Sequence, residues 1–514
     1  MTESPDPGAY AVDTEVVIVG AGPTGLLLAC ELALAGVRTV VLERLPKRIE
    51  QVKGGGIQPR SAELLESRGL LAPLLARAAV REPFGGHFAM LSVPLDCTSF
   101  DTRHPHPVGL PQWEIEEVLE ERATASGVRV LRDRLVTAAA QDDHGVTVTT
   151  ADGQRLRARY LAACDGAHST VRRLLDVPFP GRPATQQAVL ADVRLAALSP
   201  LVPRRAGHIS TLTRAADGYW AMLVPLGDDR YRLTFGRTDG SAGPARDSPV
   251  TPEEITAALH AVYGPQTVLG AVDNSSRFGD ATRQVEHYRV GRVLFAGDAA
   301  HVHPPIGGQG INLGLQDAFN LGWKLAATVQ DRAPDGLLDS YHAERHPVGA
   351  QVLHHTSAQR VLAAPNPPAD VAALRDIVTD LLRLPDANRH LAGLMSGLAL
   401  HYPLPGDHPL TGHRAPDADL SLDGAPTRLS TLLKSGHAVL LDLADAVPPG
   451  LDLPPHVNLV RATATTPLGA TALLIRPDGY VAWATAGTTA TETLLAAVAT
   501  LATHPDRRIV TTPE

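Results

Sequence analysis

Two glycine-rich stretches carry the residue types that hold a phosphorylated cofactor, and nearly 280 residues separate them. The first, GAGPTG at 20–25, follows the β-branched run TEVVIVG (14–20) and opens the apolar stretch LLLACELALAG (26–36). Gly20 suits a tight turn, Gly22 a close backbone approach to a pyrophosphate, and Gly25 close packing of helix on strand. A helix N-terminus starting at Pro23 and Thr24 then faces the anion. Glu43 ends the second strand-like run, VRTVVLER (37–44), eighteen residues after Gly25. An acid there accepts from ribose hydroxyls and favours an unphosphorylated adenosine ribose. The second stretch places Asp298 after a buried strand (GRVLFAGDAAH, 291–301) and starts a long helix at GGQG, 307–310. A carboxylate beside glycine amides at a helix N-terminus suits a polyol and an electron-accepting carbonyl. One nucleotide needs one pyrophosphate site, so two separated sites point to a long cofactor such as FAD, with Asp298 on its ribityl chain.

Other side chains carry weaker signals. His301 and His303 have the i, i+2 spacing of a metal pair, but no third ligand is near in sequence, so no metal is expected. Cys30, Cys97 and Cys164 form no CxxC pattern and read as small buried hydrophobes in a reducing compartment, the cytoplasm. On the alternating stretch GYWAMLVPLGDDRYRLTFGRT (218–238), Trp220, Met222 and Val224 share one face and Tyr219 takes the other. That face is either core or the wall of an aromatic-binding cavity.

These residues need a frame to position them. Strand, glycine turn, helix and strand over 14–44 form a βαβ unit. A loop follows at 45–60, with GGG at 54–56, then a helix over 60–79, a Pro- and Gly-rich segment at 82–110 and an amphipathic helix over 114–127. Short strands turn at 144–145 and 152–153, and period-two alternation over 185–240 indicates an antiparallel sheet turning at 227–230. Pro-rich linkers at 364–369 and 402–416 precede a small α/β tail, with strands at 437–443, 457–462 and 470–484 and a closing helix at 490–502.

At about 150 residues per domain, 514 residues suggest about three domains. Hydrophobic residues make up 44% and charged residues 20%, which describes a globular chain. Net charge is −9 and aromatics are 4%, which argues against nucleic-acid binding. The acidic, Pro-containing N-terminus is unlike a signal peptide, and no apolar run reaches the ~18 residues of a membrane span. Only Lys47, Lys53, Lys324 and Lys434 are lysines; the other basic residues are all Arg.

GAGPTG…LER (20–44), CDGAHSTVRRLL (164–175) and GRVLFAGDAAHVHPPIGGQGINLGLQDAFNLGWKLA (291–326) occur in this order. On these stretches the chain resembles the FAD-dependent aromatic hydroxylases of the p-hydroxybenzoate hydroxylase type, over roughly 1–400. Its tail looks like the thioredoxin-like C-terminal domain of phenol hydroxylase and of bacterial hydroxylases of aromatic polyketides. The resemblance implies an α/β fold: a Rossmann-like FAD-binding domain of the GR2 type (1–180 plus 279–400, with 82–110 reaching the substrate pocket). An antiparallel-sheet substrate domain (181–278) is inserted in it, and a thioredoxin-like domain (405–514) follows. That last domain has no CxxC, because no cysteine follows Cys164, so it cannot exchange disulfides.

Carried over by residue, the resemblance implies that Gly20, Gly22, Pro23, Thr24 and Gly25 hold the pyrophosphate, Glu43 the ribose, and Arg44 lies beside the adenine. Gln112 contacts the flavin, while Asp165 and Gly166 serve both FAD and the nicotinamide cofactor. Asp298 meets the ribityl chain; Pro305, Gly307, Gly308, Gly310, Ile311 and Asn312 line the isoalloxazine. Lys53 stands where relatives usually carry Arg, in a loop resembling the one that moves with the flavin, and keeps the charge without the bidentate fork. Pocket candidates are His87, Trp220, Met222 and Pro305, and His87 could hydrogen-bond a phenol.

The implied activity is hydroxylation of a phenolic polycyclic polyketide. NADPH (or NADH) reduces FAD, and O2 forms a C4a-hydroperoxide that transfers its distal oxygen. Baeyer–Villiger or ring-rearranging oxygenation on the same scaffold is the alternative, and a non-catalytic flavin-dependent binding protein is a weaker one. Halogenation is disfavoured, because no Trp-x-Trp-x-Ile stretch occurs. The expected partner is a small aromatic molecule, not a nucleic acid or membrane, acting on a monomer or homodimer.

Overall fold

The structure is a computed structural model and describes residues 13–49, 55–78, 85–239, 244 and 248–501. Lys53 lies outside the described residues.

The β-branched runs make buried strands at the centre of the molecule. Val16–Val19 pairs in parallel with Thr39–Leu42 on one side and Tyr160–Ala163 on the other. Arg129–Leu131 and Val293–Phe295 extend this parallel sheet at its two edges, and Arg289–Val290 closes it antiparallel. Strands from residues 16 and 293 therefore belong to one sheet, and both glycine stretches leave it at its C-terminal edge. The helix Pro23–Leu34 packs on Gly310–Val329 over this sheet. The contact is close because small residues face each other: a Cβ on Gly314 or Gly297 would lie 2.3 or 2.6 Å from Thr24 Oγ1.

The single helix expected over 60–79 is two, Pro59–Glu66 and Leu71–Arg77. Gly69, at φ +69°, turns the chain between them. The alternating stretch forms a five-stranded antiparallel sheet with strands Thr213–Ala216, Tyr219–Gly227, Arg230–Arg237, Gln187–Ala197 and Val268–Gly279 in spatial order. Ala221 and Leu223, with Tyr231, Leu233 and Phe235, bury one face against the helix Pro252–Tyr263. Trp220, Met222 and Val224 lie half-buried on the opposite face, outside that core.

After the long helix Ser340–Leu362 come helices Ala369–Leu382 and Pro385–Ser396. The tail builds a four-stranded mixed sheet ordered Val457–Arg461, Ala438–Asp442, Ala472–Ile475, Val481–Thr485. The stretch 470–484 is a hairpin turning at 476–479, since Gly479 (φ +73°) follows Arg-Pro-Asp. This turn is the docking plug of the tail. Arg476 donates to both oxygens of Glu344 (2.9 and 2.8 Å), and Arg68 donates to the Pro477 carbonyl (2.8 Å). Arg68 also pairs with Glu31 at 2.8 Å, so one guanidinium ties the tail to the helix Pro23–Leu34. No helix among the described residues is long and apolar enough to cross a membrane.

Candidate active site

Two helix N-termini converge at the C-terminal edge of the parallel sheet, and neither carries a side-chain cap or an acid in its first turn. Each end therefore keeps free N–H groups and a positive dipole for a ligand. At the first, Gly20 (φ +106°) sits so close to the chain crossing it that a Cβ would lie 2.4 Å from the Cys164 carbonyl oxygen. A Cβ on Gly25 would lie 2.0 Å from the Gly20 oxygen. Gly22 faces open space, with nothing within 4 Å of a built Cβ. That is the cradle a pyrophosphate needs: two glycines enforced by packing and one left open toward the anion. Glu43 is held at its mouth by the N–H groups of Ala21 and Leu45, both at 2.9 Å, and Arg44 beside it is exposed.

Asp165 follows the strand Tyr160–Ala163. Its Oδ2 accepts from the N–H groups of Thr170 and Val171 (2.6 and 3.1 Å), and its Oδ1 is buried with no hydrogen-bond partner among the described residues. Burial pushes its carboxyl above the usual range against those hydrogen bonds. Gly166 beside it adopts φ +80°. Asp298 lies exposed in the short 3-10 turn Gly297–Ala299.

The second loop is tied to the strand Gly55–Ile57. Asn312 Oδ1 accepts from the Gln58 N–H (2.8 Å), and its Nδ2 donates to the carbonyls of Gly56 and Gly308, both at 3.0 Å. Gly307 and Gly308 are both left-handed, at φ +84° and +62°. Pro305 and Gly308 are exposed, and Gly310 and Ile311 open the helix. Gln112 starts the helix Gln112–Ala125 directly after Pro111, which pairs with Gly55, and donates to Glu116 at 2.7 Å.

The two histidines of the apparent metal pair have separate partners. His301 bonds Asp317 (2.7 Å), which Arg345 also engages at 2.7 Å, and His303 Nδ1 donates to the Pro304 carbonyl (2.8 Å). Burial drives His303 down to about 4. All three cysteines are buried, and burial raises the Cys30 and Cys164 thiols.

The half-buried face of the antiparallel sheet turns toward this second loop. Arg232 shares that face with Val224, its cross-strand partner. Its Nη1 lies 3.5 Å from where a Cβ on Gly55 would stand. So Arg232 and its neighbour Val224 border the strand Gly55–Ile57, to which Asn312 ties the GGQG loop, and Met222 and Trp220 continue the same face along the strand. Trp220 lies against Gly236, where a Cβ would meet its Nε1 at 2.8 Å. The face is not wholly apolar. Arg232 pairs bidentately with Asp192 (3.0 and 3.3 Å), in register across neighbouring strands.

Sequence reasoning missed a hub. Gln359, fully buried on the long helix, accepts from the Ala89 N–H (3.0 Å), contacts His355 Nδ1 at 3.2 Å and donates to Met395 Sδ at 3.4 Å. Met395 in turn covers Gly307, so that a Cβ there would meet its Cε at 2.2 Å. Through Gln359 the GGQG loop is joined to the segment bearing His87. A glutamine inside a polar helix carries no motif, so no sequence signal marks it.

Residues 13–356 match the family model described as "FAD binding domain", and 408–505 match "Aromatic-ring hydroxylase, C-terminal". The chain belongs to this family and is an FAD-dependent monooxygenase that uses NAD(P)H and O2. It is 44% identical to the 12-dehydrotetracycline 5-monooxygenase/anhydrotetracycline 6-monooxygenase of Streptomyces rimosus, covering 95% of this chain and 98% of that one. The solved structure of an anhydrotetracycline hydroxylase from the same organism superposes with a TM-score of 0.86 at 44% identity, covering 95% and 98%. A dialkyldecalin synthase of Streptomyces rugosporus is 39% identical over 91% of this chain and 95% of its own.

Proposed function

We propose that the protein hydroxylates a phenolic, polycyclic aromatic polyketide, with the residues above as its FAD and substrate sites. The carrying observation is the chain of contacts from the sheet face through Arg232 and Gly55 to Asn312 and the GGQG loop. It supports a substrate wall of Trp220, Met222 and Val224, with the Arg232–Asp192 pair on the same face, beside a glycine loop fit to hold a flavin ring. Supporting this, close relatives are named for tetracyclic substrates.

In this reading the chain has a Rossmann-like FAD domain of the GR2 type, a substrate sheet inserted at 181–278 and a thioredoxin-like tail from 405. Gly20, Gly22, Thr24 and Gly25 hold the pyrophosphate, Glu43 the ribose, Asp165 and Asp298 the central part, and Gly307 to Asn312 the ring. FAD, once reduced by NAD(P)H, supplies the activated oxygen. The protein binds, orients and keeps water out. The open Gly22 and the uncapped helix ends neutralise phosphate charge. The left-handed Gly307 and Gly308 bring backbone close to a planar ring. Trp220, Met222 and Val224 pack the aromatic face and exclude water from the reacting carbon.

The test is NAD(P)H oxidation by the purified holoenzyme with anhydrotetracycline and related phenolic tetracycles, with product mass by chromatography. Gain of one oxygen atom in the product is expected. Absence of substrate-dependent NAD(P)H consumption across the panel would reject the reading.

A further inference from the structure

The segment that carries His87 is strained. Ala89 and Met90 are consecutive non-glycine residues in the left-handed region, at φ +50° and +58°, inside the turn closed by the Leu91 N–H on the Phe88 carbonyl (3.0 Å). Each such residue is disfavoured there and persists only where its surroundings over-determine it. Two bonds do so here. Gln359 takes the Ala89 N–H, and the Met90 N–H donates to His87 Nδ1 at 3.3 Å.

The second bond fixes a tautomer. A backbone N–H can only donate, so His87 Nδ1 offers its lone pair and the ring proton of the neutral imidazole sits on Nε2. Burial and the neighbouring His208 hold the ring down to about 4, so it stays neutral. His208, at the N-cap of Ile209–Leu212 on the sheet domain, is arranged alike: its Nδ1 accepts from the Ser210 N–H. The two rings meet edge to face with centroids 6.5 Å apart. His87 thus stands where the segment tied through Gln359 to the GGQG loop meets the antiparallel-sheet domain, with its acceptor nitrogen already used.

We infer that His87 is the pocket's reader of an oxygen on the ligand: its Nε2–H donates to a carbonyl or phenolate at the edge of a polycyclic aromatic, and it is not the base that takes the substrate's proton. The inference rests on the aromatic-hydroxylase reading and adds the recognising atom and the ligand group. The strained turn sets the ring's position. A base at this place would need a lone pair on Nε2, which the Met90 bond denies it.

Two measurements on the holoenzyme test it. The first is the ring state of His87 by 15N NMR, assigned by the difference between wild type and His87→Gln. A neutral ring with the proton on Nε2 is expected between about pH 6 and 8. The second is a flavin-absorbance titration with 1,8-dihydroxyanthraquinone. His87→Leu should weaken binding about tenfold, the size of one buried hydrogen bond. His87→Gln, which keeps a donor, should recover most of it. An Nδ1–H tautomer, an imidazolium, or unchanged affinity in His87→Leu overturns the inference while leaving the hydroxylase reading intact. Failure of the wild-type holoenzyme to bind or turn over any hydroxylated polycycle rejects the hydroxylase reading, and the inference with it.

Discussion

Replacing Arg476 by Met should release the tail from the body of the enzyme. Four charges meet at the docking plug: Lys324 and Arg476 against Glu344 and Asp478, with exposures of 0%, 2%, 7% and 1%. They balance, two against two. Arg476 serves both carboxylates, and Lys324 lies 2.8 Å from Glu344. Removing Arg476 leaves one cation facing two buried carboxylates. Breaking a buried pair in this way costs about 3–5 kcal/mol, because the orphaned charge cannot regain its hydration. Met fills the apolar space but gives up the guanidinium's place over the Trp323 ring, 5.2 Å away, which is itself a charge contact. The loss is therefore mainly electrostatic. Adding Asp478→Asn restores the balance, with Lys324 against Glu344, and should return at least half of the loss. Urea unfolding followed by tryptophan fluorescence, with limited proteolysis across 402–416, reads the effect. The single variant should show an early transition and cleavage that the double variant suppresses. A loss under about 1 kcal/mol in the single variant, or additive losses in the double, would refute a charge-balanced plug.

Three further outcomes follow from the same geometry. Gly25→Ala forces a methyl against a fixed backbone oxygen 2.0 Å away, so the purified protein should carry at least about tenfold less flavin by its visible absorbance. Gln359→Leu strands the Ala89 N–H, at about 1–3 kcal/mol, and should lower product formed per NAD(P)H consumed more than it lowers NAD(P)H oxidation itself. Burial holds His87, His303 and His355 near about 4, against 6.5 unfolded. The unfolded chain then binds more protons between those values, so stability falls as pH drops from about 6.5 toward 4, by up to about 1.4 kcal/mol per unit for each histidine. His303→Gln should flatten the acid limb of a melting-temperature profile; an unchanged limb would contradict the assigned burial effect.

The two glycine-rich loops were legible because their geometry is local. GAGPTG and GGQG specify turns that only glycine can make, and β-branched runs before them specify strands whatever the rest of the chain does. Period-two alternation likewise separated Trp220, Met222 and Val224 from Ala221 and Leu223, since adjacent strand residues face opposite ways. Alternation could not say which face was core; the helix Pro252–Tyr263 decided that by packing on one of them. The spacing of His301 and His303 says nothing of their partners, Asp317 and the Pro304 carbonyl, which the fold supplies.

By itself, then, the sequence determined the glycine-rich loops, the alternating sheet and the cysteine-free tail, because glycine geometry, strand period and the absence of cysteine beyond residue 164 act at short range. The meeting of residue 24 with residues 297 and 314, the Gln359 hub, the tautomer of His87 and the charge balance around Arg476 were decided only in three dimensions. Each depends on burial and on partners hundreds of residues away or held in a strained turn, and neither quantity is encoded in local residue spacing.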